Sequence, residues 1–212
     1  IFIRGNAMDY EKWAKDPGME TWDYAHCLPY FKRSENRTAG TNDYRGRGGP
    51  LHLETGPCTN PLFGAFFNAA KEAGYPLTDD VNGIQQEGFG MFDRNIKNGR
   101  RWSATRAYLN PVMNRKNLEV RCNSLTTRIL FDGKRATGVE FRNGGNLHKI
   151  TAGEIICCGG SINSPQLLQL SGVGPSAVLN KAGVNVLHDL PGVGMNLQDH
   201  LEVYVQYACS KP

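Results

Sequence analysis

The chain has 212 residues, 40% hydrophobic, 9% aromatic and 21% charged, enough to bury a sizeable core and too apolar for a disordered segment. Its net charge of +4 is spread without any block of like charges, which argues against a nucleic-acid binder. No apolar run approaches the roughly 20 residues that a membrane-spanning helix needs.

Ile1 stands where a complete chain would begin with Met, and Ala208 to Pro212 follow a strand-like run without a closing element. The sequence therefore reads as an internal piece of a longer protein, with no signal-peptide series at its start. The six cysteines, Cys27, Cys58, Cys122, Cys157, Cys158 and Cys209, show neither metal-ligand pairing nor the density of a disulfide scaffold, and a reducing compartment fits them. His26, His52, His148 and His188 do not cluster at ligand spacing, so no metal site is expected.

In chain order, residues 1–49 are aromatic-rich and irregular, with a helical pattern from Tyr24 to Glu35 that puts Tyr24, Leu28 and Phe31 on one side. Leu51 to Glu54 is a short strand candidate. A well-marked helix follows: Asn60 can cap it, Pro61 suits its first turn, and Leu62, Phe66, Ala69, Ala70 and Ala73 repeat at helical spacing until Gly74. That apolar face is expected to pack on a core. After the glycine-rich stretch Gln86 to Met91, a second helix is expected to begin near Ser103 and to carry Ala107, Tyr108 and Leu109.

The character then changes to strands. Leu118 to Arg121 and Thr126 to Phe131 are strand-like, Asp132-Gly133 signals a hairpin into Ala136 to Phe141, and a turn at Asn143 to Gly145 leads to Leu147 to Thr151. Thr126 to Thr151 thus reads as a three-stranded meander. An apolar strand is expected at Glu154 to Cys158, with Cys157 and Cys158 as small buried residues, then Gly159-Gly160, then a helix capped by Ser164 with Pro165 in its first position and closed by Gly172.

The unit of strand, two glycines and helix start is physically suggestive. Glycine lets a ligand come close to the backbone, and the helix start offers unpaired N–H groups and positive dipole, which suits a phosphate or the edge of a flavin ring. Alone the signal is weak, because a tight connection often has the same form.

The run Gly160-Ser161-Ile162-Asn163-Ser164-Pro165-Gln166-Leu167-Leu168-Gln169-Leu170-Ser171-Gly172-Val173-Gly174 resembles the second signature of the glucose-methanol-choline family of flavin oxidoreductases. Other landmarks stand in the family's order. They are Arg4-Gly5 with Asp9-Tyr10 and Trp13, Leu28 to Phe31, Gly88-Phe89-Gly90, Arg101 through Ser103 to Leu109, Pro191 to Gly194, and Asn196 to His200. Within the family, Asp23 to Phe31, Asn82 to Gly90 and Asp199 to Glu202 are most similar to choline-oxidising members.

The resemblance implies a mixed α/β fold: part of a doubly wound FAD-binding domain with its meander, plus part of a substrate-binding domain with an antiparallel sheet. On it, residues 1–49 form a covering segment in which Arg4, Tyr10 and Trp13 act as anchors, and residues 50–116 are interleaved with the substrate domain. Residues 117–198 belong to the FAD domain, and 199–212 open a substrate-domain strand. The implied activity is oxidation of choline to betaine aldehyde, with hydride transfer to the flavin of FAD and electrons passed to a membrane quinone or respiratory chain. That places the protein beside an energy-conserving membrane.

For individual residues, the resemblance implies FAD contacts at Thr126 and at the turn Cys158, Gly159 and Gly160. It implies a carboxylate facing the trimethylammonium group at Glu202 and an assisting electrostatic role for His200. Arg101 and Ser103 are expected to pack rather than react. The family's proton-abstracting histidine and its Gly-x-Gly-x-x-Gly turn match nothing in this chain, so residues 1–212 alone are expected to bind FAD poorly and to lack activity. The competing readings are oxidation of a neutral primary alcohol and a non-catalytic member that keeps the fold.

Overall fold

A computed structural model describes residues 1–40 and 42–208, which form two compact units, Ile1–Glu119 and a second from Val120 onward. In the first unit, α1 (Ala7–Trp13) opens on a capping box: Asn6 Oδ1 accepts from the Met8 N–H at 2.9 Å, and Asp9 returns a bond to the Asn6 N–H at 3.2 Å. A single 3-10 turn, Glu20–Trp22, leads to α2 (Tyr24–Ser34), where Asp23 caps the helix by accepting from the His26 N–H at 2.7 Å. The expected face of α2 does pack. Tyr10 of α1 lies 5.8 Å from the Tyr24 ring and 5.6 Å from the Phe31 ring.

The chain passes from α2 into β1 (Glu35–Arg37), which pairs in parallel with β2 (Leu51–Thr55), while β3 (Asp93–Arg94) closes the other edge of β2 in antiparallel sense. The loop between β1 and β2 folds tightly onto the end of α2. A Cβ at Gly46 would stand 1.8 Å from the Lys32 carbonyl oxygen, so only glycine fits there. Between β2 and β3 runs α3 (Pro61–Glu72), capped by Asn60 and followed by Gly74 at φ +81°, as the residue pattern requires.

The apolar face of α3 departs from expectation. Only Ala70 is buried, and Leu62 and Phe66 remain 59% and 55% exposed. Phe63, Phe66 and Phe67 look instead into a cavity of about 560 Å³ shared with Phe89 and Met91. Helical spacing selects a face, but burial requires a second layer over it, and the described residues supply none over Leu62.

The small hairpin β4 (Ile96–Lys97) and β5 (Arg100–Arg101) turns at Asn98-Gly99, both with positive φ. The helix expected near Ser103 is a π-helical turn, Thr105–Leu109, continued by a 3-10 turn, Asn110–Val112. Ser103 Oγ accepts from the Arg106 N–H at 3.4 Å, and Ala107 is buried, so this segment packs as expected.

Charge as well as hydrocarbon fills the interior of this unit. Arg4, Glu35, Arg37, Arg45 and Asp93 are buried, with Asp80 beside them. Arg45 binds three carboxylates, Glu35 at 3.1 Å, Asp80 at 2.5 Å and Asp93 at 2.5 Å. Arg4 adds a bond to Glu35 at 2.5 Å, and Arg37 one to Asp93 at 2.9 Å. Three guanidinium groups meet three carboxylates, so the knot is neutral as a whole, and that neutrality is what lets it leave water. Asn82, fully buried, stitches it to the chain start by accepting from the Arg4 N–H and donating to the Phe2 carbonyl.

The second unit is built on the meander β6 (Leu125–Asp132), β7 (Arg135–Asn143) and β8 (Asn146–Thr151), antiparallel throughout. Its turns lie at Gly133-Lys134 and Gly144-Gly145, next to the hairpin signals in the sequence. After it come α4 (Gly160–Leu170), the parallel pair β9 (Val173–Gly174) and β10 (His188–Asp189), and α5 (Ser176–Lys181) between them. Ile129, Phe141, Val173 and Leu179 form the buried apolar set of this unit. The mixed α/β class with an antiparallel meander is as the sequence implied.

Four local expectations are corrected. Leu118 to Arg121 is not a strand; the Leu118 N–H closes a turn on the Arg115 carbonyl at 3.1 Å. Glu154 to Cys158 runs without strand pairing, Ile156 is 77% exposed, and Cys157 and Cys158 are exposed rather than buried. A parallel strand exists only through neighbours, and among the described residues none pairs with this one. Helix α4 begins at Gly160, ahead of Ser164, and holds Pro165 inside it. From Asp199 to Ala208 the backbone forms no strand and is exposed. Cys209, Ser210, Lys211 and Pro212 lie outside the described residues.

Candidate cofactor and substrate site

The turn at Cys158, Gly159 and Gly160 is held from within. Ser164 Oγ accepts from the Gly159 N–H at 3.0 Å, so the serine expected to cap from outside the helix serves the turn from inside it. A Cβ on Gly159 would press within 3.1–3.3 Å of Asn163 and Ser164. Gly160 has φ +86° with nothing within 4 Å of where a Cβ would stand, and no side chain caps the helix start. The N–H groups of the first turn of α4 therefore lie at an exposed surface, open on the side of Gly160. That surface fits an anionic or planar group approaching the backbone.

Helix α4 is anchored on the meander at its other end. Ser171 Oγ donates to the Leu167 carbonyl at 2.6 Å and accepts from the Ile129 N–H at 2.8 Å, which ties the helix terminus to β6. Thr126 lies on the same strand, half-buried, opposite Phe141 and beside a register shift between Thr126 and Arg128. The irregularity turns the strand locally, as bulges do. Arg128 donates to Glu140 at 2.9 Å across the meander and holds that carboxyl below the ordinary carboxylate range.

His200 and Glu202 sit on the exposed stretch after the turn Pro191–Gly194. The His200 N–H donates to Asp199 Oδ1 at 2.9 Å. The Glu202 carboxylate bonds the Tyr204 hydroxyl and pushes the phenol pKa up, so a fixed negative charge and an aromatic ring stand together. Tyr204 was not singled out from the sequence, although its i+2 spacing from Glu202 in an extended run was a readable signal. The structure thus unites Cys158, Gly159 and Gly160 in one turn, sets Thr126 on the strand that anchors the same helix, and leaves His200 and Glu202 on an open segment.

Residues 1–202 match the model of the GMC oxidoreductase family. The chain is similar to a protein of Staphylococcus saprophyticus named oxygen-dependent choline dehydrogenase, 58% identical over 214 residues, covering 100% of this chain and 38% of the relative. Among solved structures it is similar to pyridoxine 4-oxidase from Mesorbium loti, with TM-score 0.84 and 32% identity over 90% of this chain and 38% of that one. It is also similar to an FAD-dependent oxidoreductase from Chaetomium thermophilum, with TM-score 0.78 and 32% identity over 90% of this chain and 36% of that one. The chain therefore spans 38% of the curated relative's length.

Proposed function

Since the chain belongs to the GMC oxidoreductase family, we propose that the whole protein oxidises choline to betaine aldehyde with FAD as cofactor. The observation that carries this reading is the 58% identity, over all of this chain, with a relative named for choline. Bound FAD would supply the acceptor for the carbinol hydride. The turn Cys158 to Gly160 would lie against it, with the first-turn N–H groups of α4 balancing negative charge, and Thr126 would contact it from the meander. In this reading residues 117–198 contribute to the cofactor domain, residues 1–49 cover it, residues 50–116 interleave with the substrate domain, and residues 199–212 open that domain.

Choline is a permanent cation whose nitrogen carries no N–H, so a protein can hold it only by charge and by ring faces. Glu202 supplies the charge, and Tyr204 beside it supplies a face. His200 is assigned an assisting electrostatic role, with proton abstraction from the hydroxyl left to a base outside this chain's residues. Among the described residues no helix is long and apolar enough to cross a membrane. Electrons are assigned to the quinone pool or respiratory chain of an energy-conserving membrane, while the name of the oxygen-dependent relative also fits direct transfer to oxygen. Quinone reduction by the enzyme without peroxide release supports that acceptor, and direct peroxide formation at the full turnover rate removes it.

The decisive test is Glu202→Gln in the whole protein. Loss of one charge near a cation is worth roughly 1–4 kcal/mol at contact distance, so the KM for choline is expected to rise about tenfold or more, with neutral alcohols little affected. Equal losses for both substrates would assign Glu202 a structural role. The similarity to a protein named for pyridoxine, a neutral alcohol, favours the second reading, a neutral primary alcohol as substrate. A substrate panel without preference for quaternary ammonium compounds would select it.

A further inference from the structure

Gln169 stands on the last turn of α4, half-buried, and its side chain passes between two glycines. A Cβ on Gly174 would come within 2.9 Å of Gln169 Cγ, and one on Gly194, which holds φ +83°, within 2.8 Å of Gln169 Nε2. Both positions are thus kept clear for this one side chain. Its amide donates to the Val193 carbonyl at 3.1 Å. The orientation of that amide is fixed by its partner, because a carbonyl can only accept.

The bond reaches across 24 positions and joins two parts of the proposed site. At one end, α4 starts at Gly160 and is fixed to β6 through Ser171. At the other, the Leu190 N–H donates to the Gly174 carbonyl at 3.0 Å, and the Val193 and Met195 N–H groups close turns on Leu190 and Gly192. Past those turns the bonds are local, His200 to Asp199 and Glu202 to Tyr204. Among the described residues, the Gln169 bond is therefore the last one along the chain that ties the helix of the cofactor turn to the segment carrying His200 and Glu202.

We infer that Gln169 is a positioning residue: it fixes the point from which the chain leaves toward Glu202, and so sets where that carboxylate stands relative to the turn Cys158 to Gly160. The inference rests on the role proposed for Glu202. Attraction between a carboxylate and a cation falls with the inverse of distance. At the partly screened strength of a protein site, a shift from about 4 Å to about 6 Å weakens binding by up to about tenfold. A latch that never touches substrate can therefore act on KM without taking part in the chemistry.

Gln169→Met keeps most of the side chain's length and removes its donor. In the whole protein it is expected to retain the parent's FAD, read as flavin absorbance per protein, and to raise the choline KM severalfold. Added to Glu202→Gln it should change the choline KM by less than about twofold, because the carboxylate it positions is gone, whereas independent sites would carry the same factor in both backgrounds. A second measurement needs no substrate: amide exchange of residues 190–198 should quicken in Gln169→Met while that of Gly160 to Leu168 stays as it was. Equal KM effects in both backgrounds, no KM effect in either, loss of FAD on substitution, or unchanged exchange at residues 190–198 would each overturn the inference. A choline KM insensitive to Glu202→Gln alone would instead overturn the role given to Glu202, and the exchange result then decides the latch by itself.

Discussion

The two units handle polar groups in opposite ways. In the first, Arg45 is withdrawn from water together with Glu35, Asp80 and Asp93, and each partner neutralises another. In the second, Cys157 and Cys158, the Gly159-Gly160 turn and the stretch from Asp199 to Ala208 stay in solvent, with backbone N–H groups at the helix start facing outward. A region that closes its own charges acts as a frame. A region that leaves backbone donors open is where a ligand can be met, and the difference separates what holds this chain together from what it presents.

The largest expected effect probes the open side of that contrast. Residues 1–212, expressed alone, mixed with excess FAD and passed through gel filtration, are expected to emerge colourless, because one helix start provides few of the contacts a dinucleotide needs. A stoichiometric yellow complex would mean that the exposed turn suffices.

Breaking the frame comes next. Arg45→Met leaves the buried Glu35 and Asp93 and the part-buried Asp80 without their shared cation and should cost about 3–5 kcal/mol in denaturant unfolding. Arg128→Met removes a pair whose arginine is 51% exposed and leaves Glu140 its bond from the Thr127 hydroxyl, so it should cost clearly less than Arg45→Met. Similar losses for the two would show that the knot is no more than a surface cluster.

A smaller effect reports the knot through pH. Burial opposes ionisation of Asp93, but the Thr55 hydroxyl, Arg45 and Arg37 outweigh it and hold the carboxyl below its ordinary value. With the folded pKa below the unfolded one, this stabilisation is complete above the ordinary carboxylate range and is lost as pH falls below about 3.9. Asp93→Asn should therefore flatten the acid limb of stability against pH. An unchanged slope would remove Asp93 from that role.

A last effect tests the joint between helix and meander. Ser171→Ala leaves the Ile129 N–H without its acceptor and should cost about 1–3 kcal/mol of thermal stability. A neutral substitution would show that water replaces the hydroxyl.

Local chemistry made part of this protein legible before any coordinates. Asn60-Pro61 and Gly74 bound a helix because a cap, a preset φ and a left-handed residue act within one turn of the chain. Asp132-Gly133 and Asn143 to Gly145 announce the meander for the same reason, since a tight turn is decided by the residues in it. The fifteen residues from Gly160 to Gly174 carried the family, because so long a pattern of fixed residues is rarely met by chance.

Tertiary structure alone decided the rest. The knot of Arg4, Glu35, Arg37, Arg45, Asp80 and Asp93 has no signature, because its members are scattered over 90 positions of ordinary surface-type residues and become partners only when β1, β2 and β3 meet. Glu154 to Cys158 looks like a buried strand, yet a strand is a property of neighbours. Tyr10, Trp13, Trp22 and Phe31 line one cavity only because α1, the turn Glu20–Trp22 and α2 bring them together. Caps and turns are short-range and belong to the sequence, whereas burial, pairing and enclosed space depend on what the fold brings alongside.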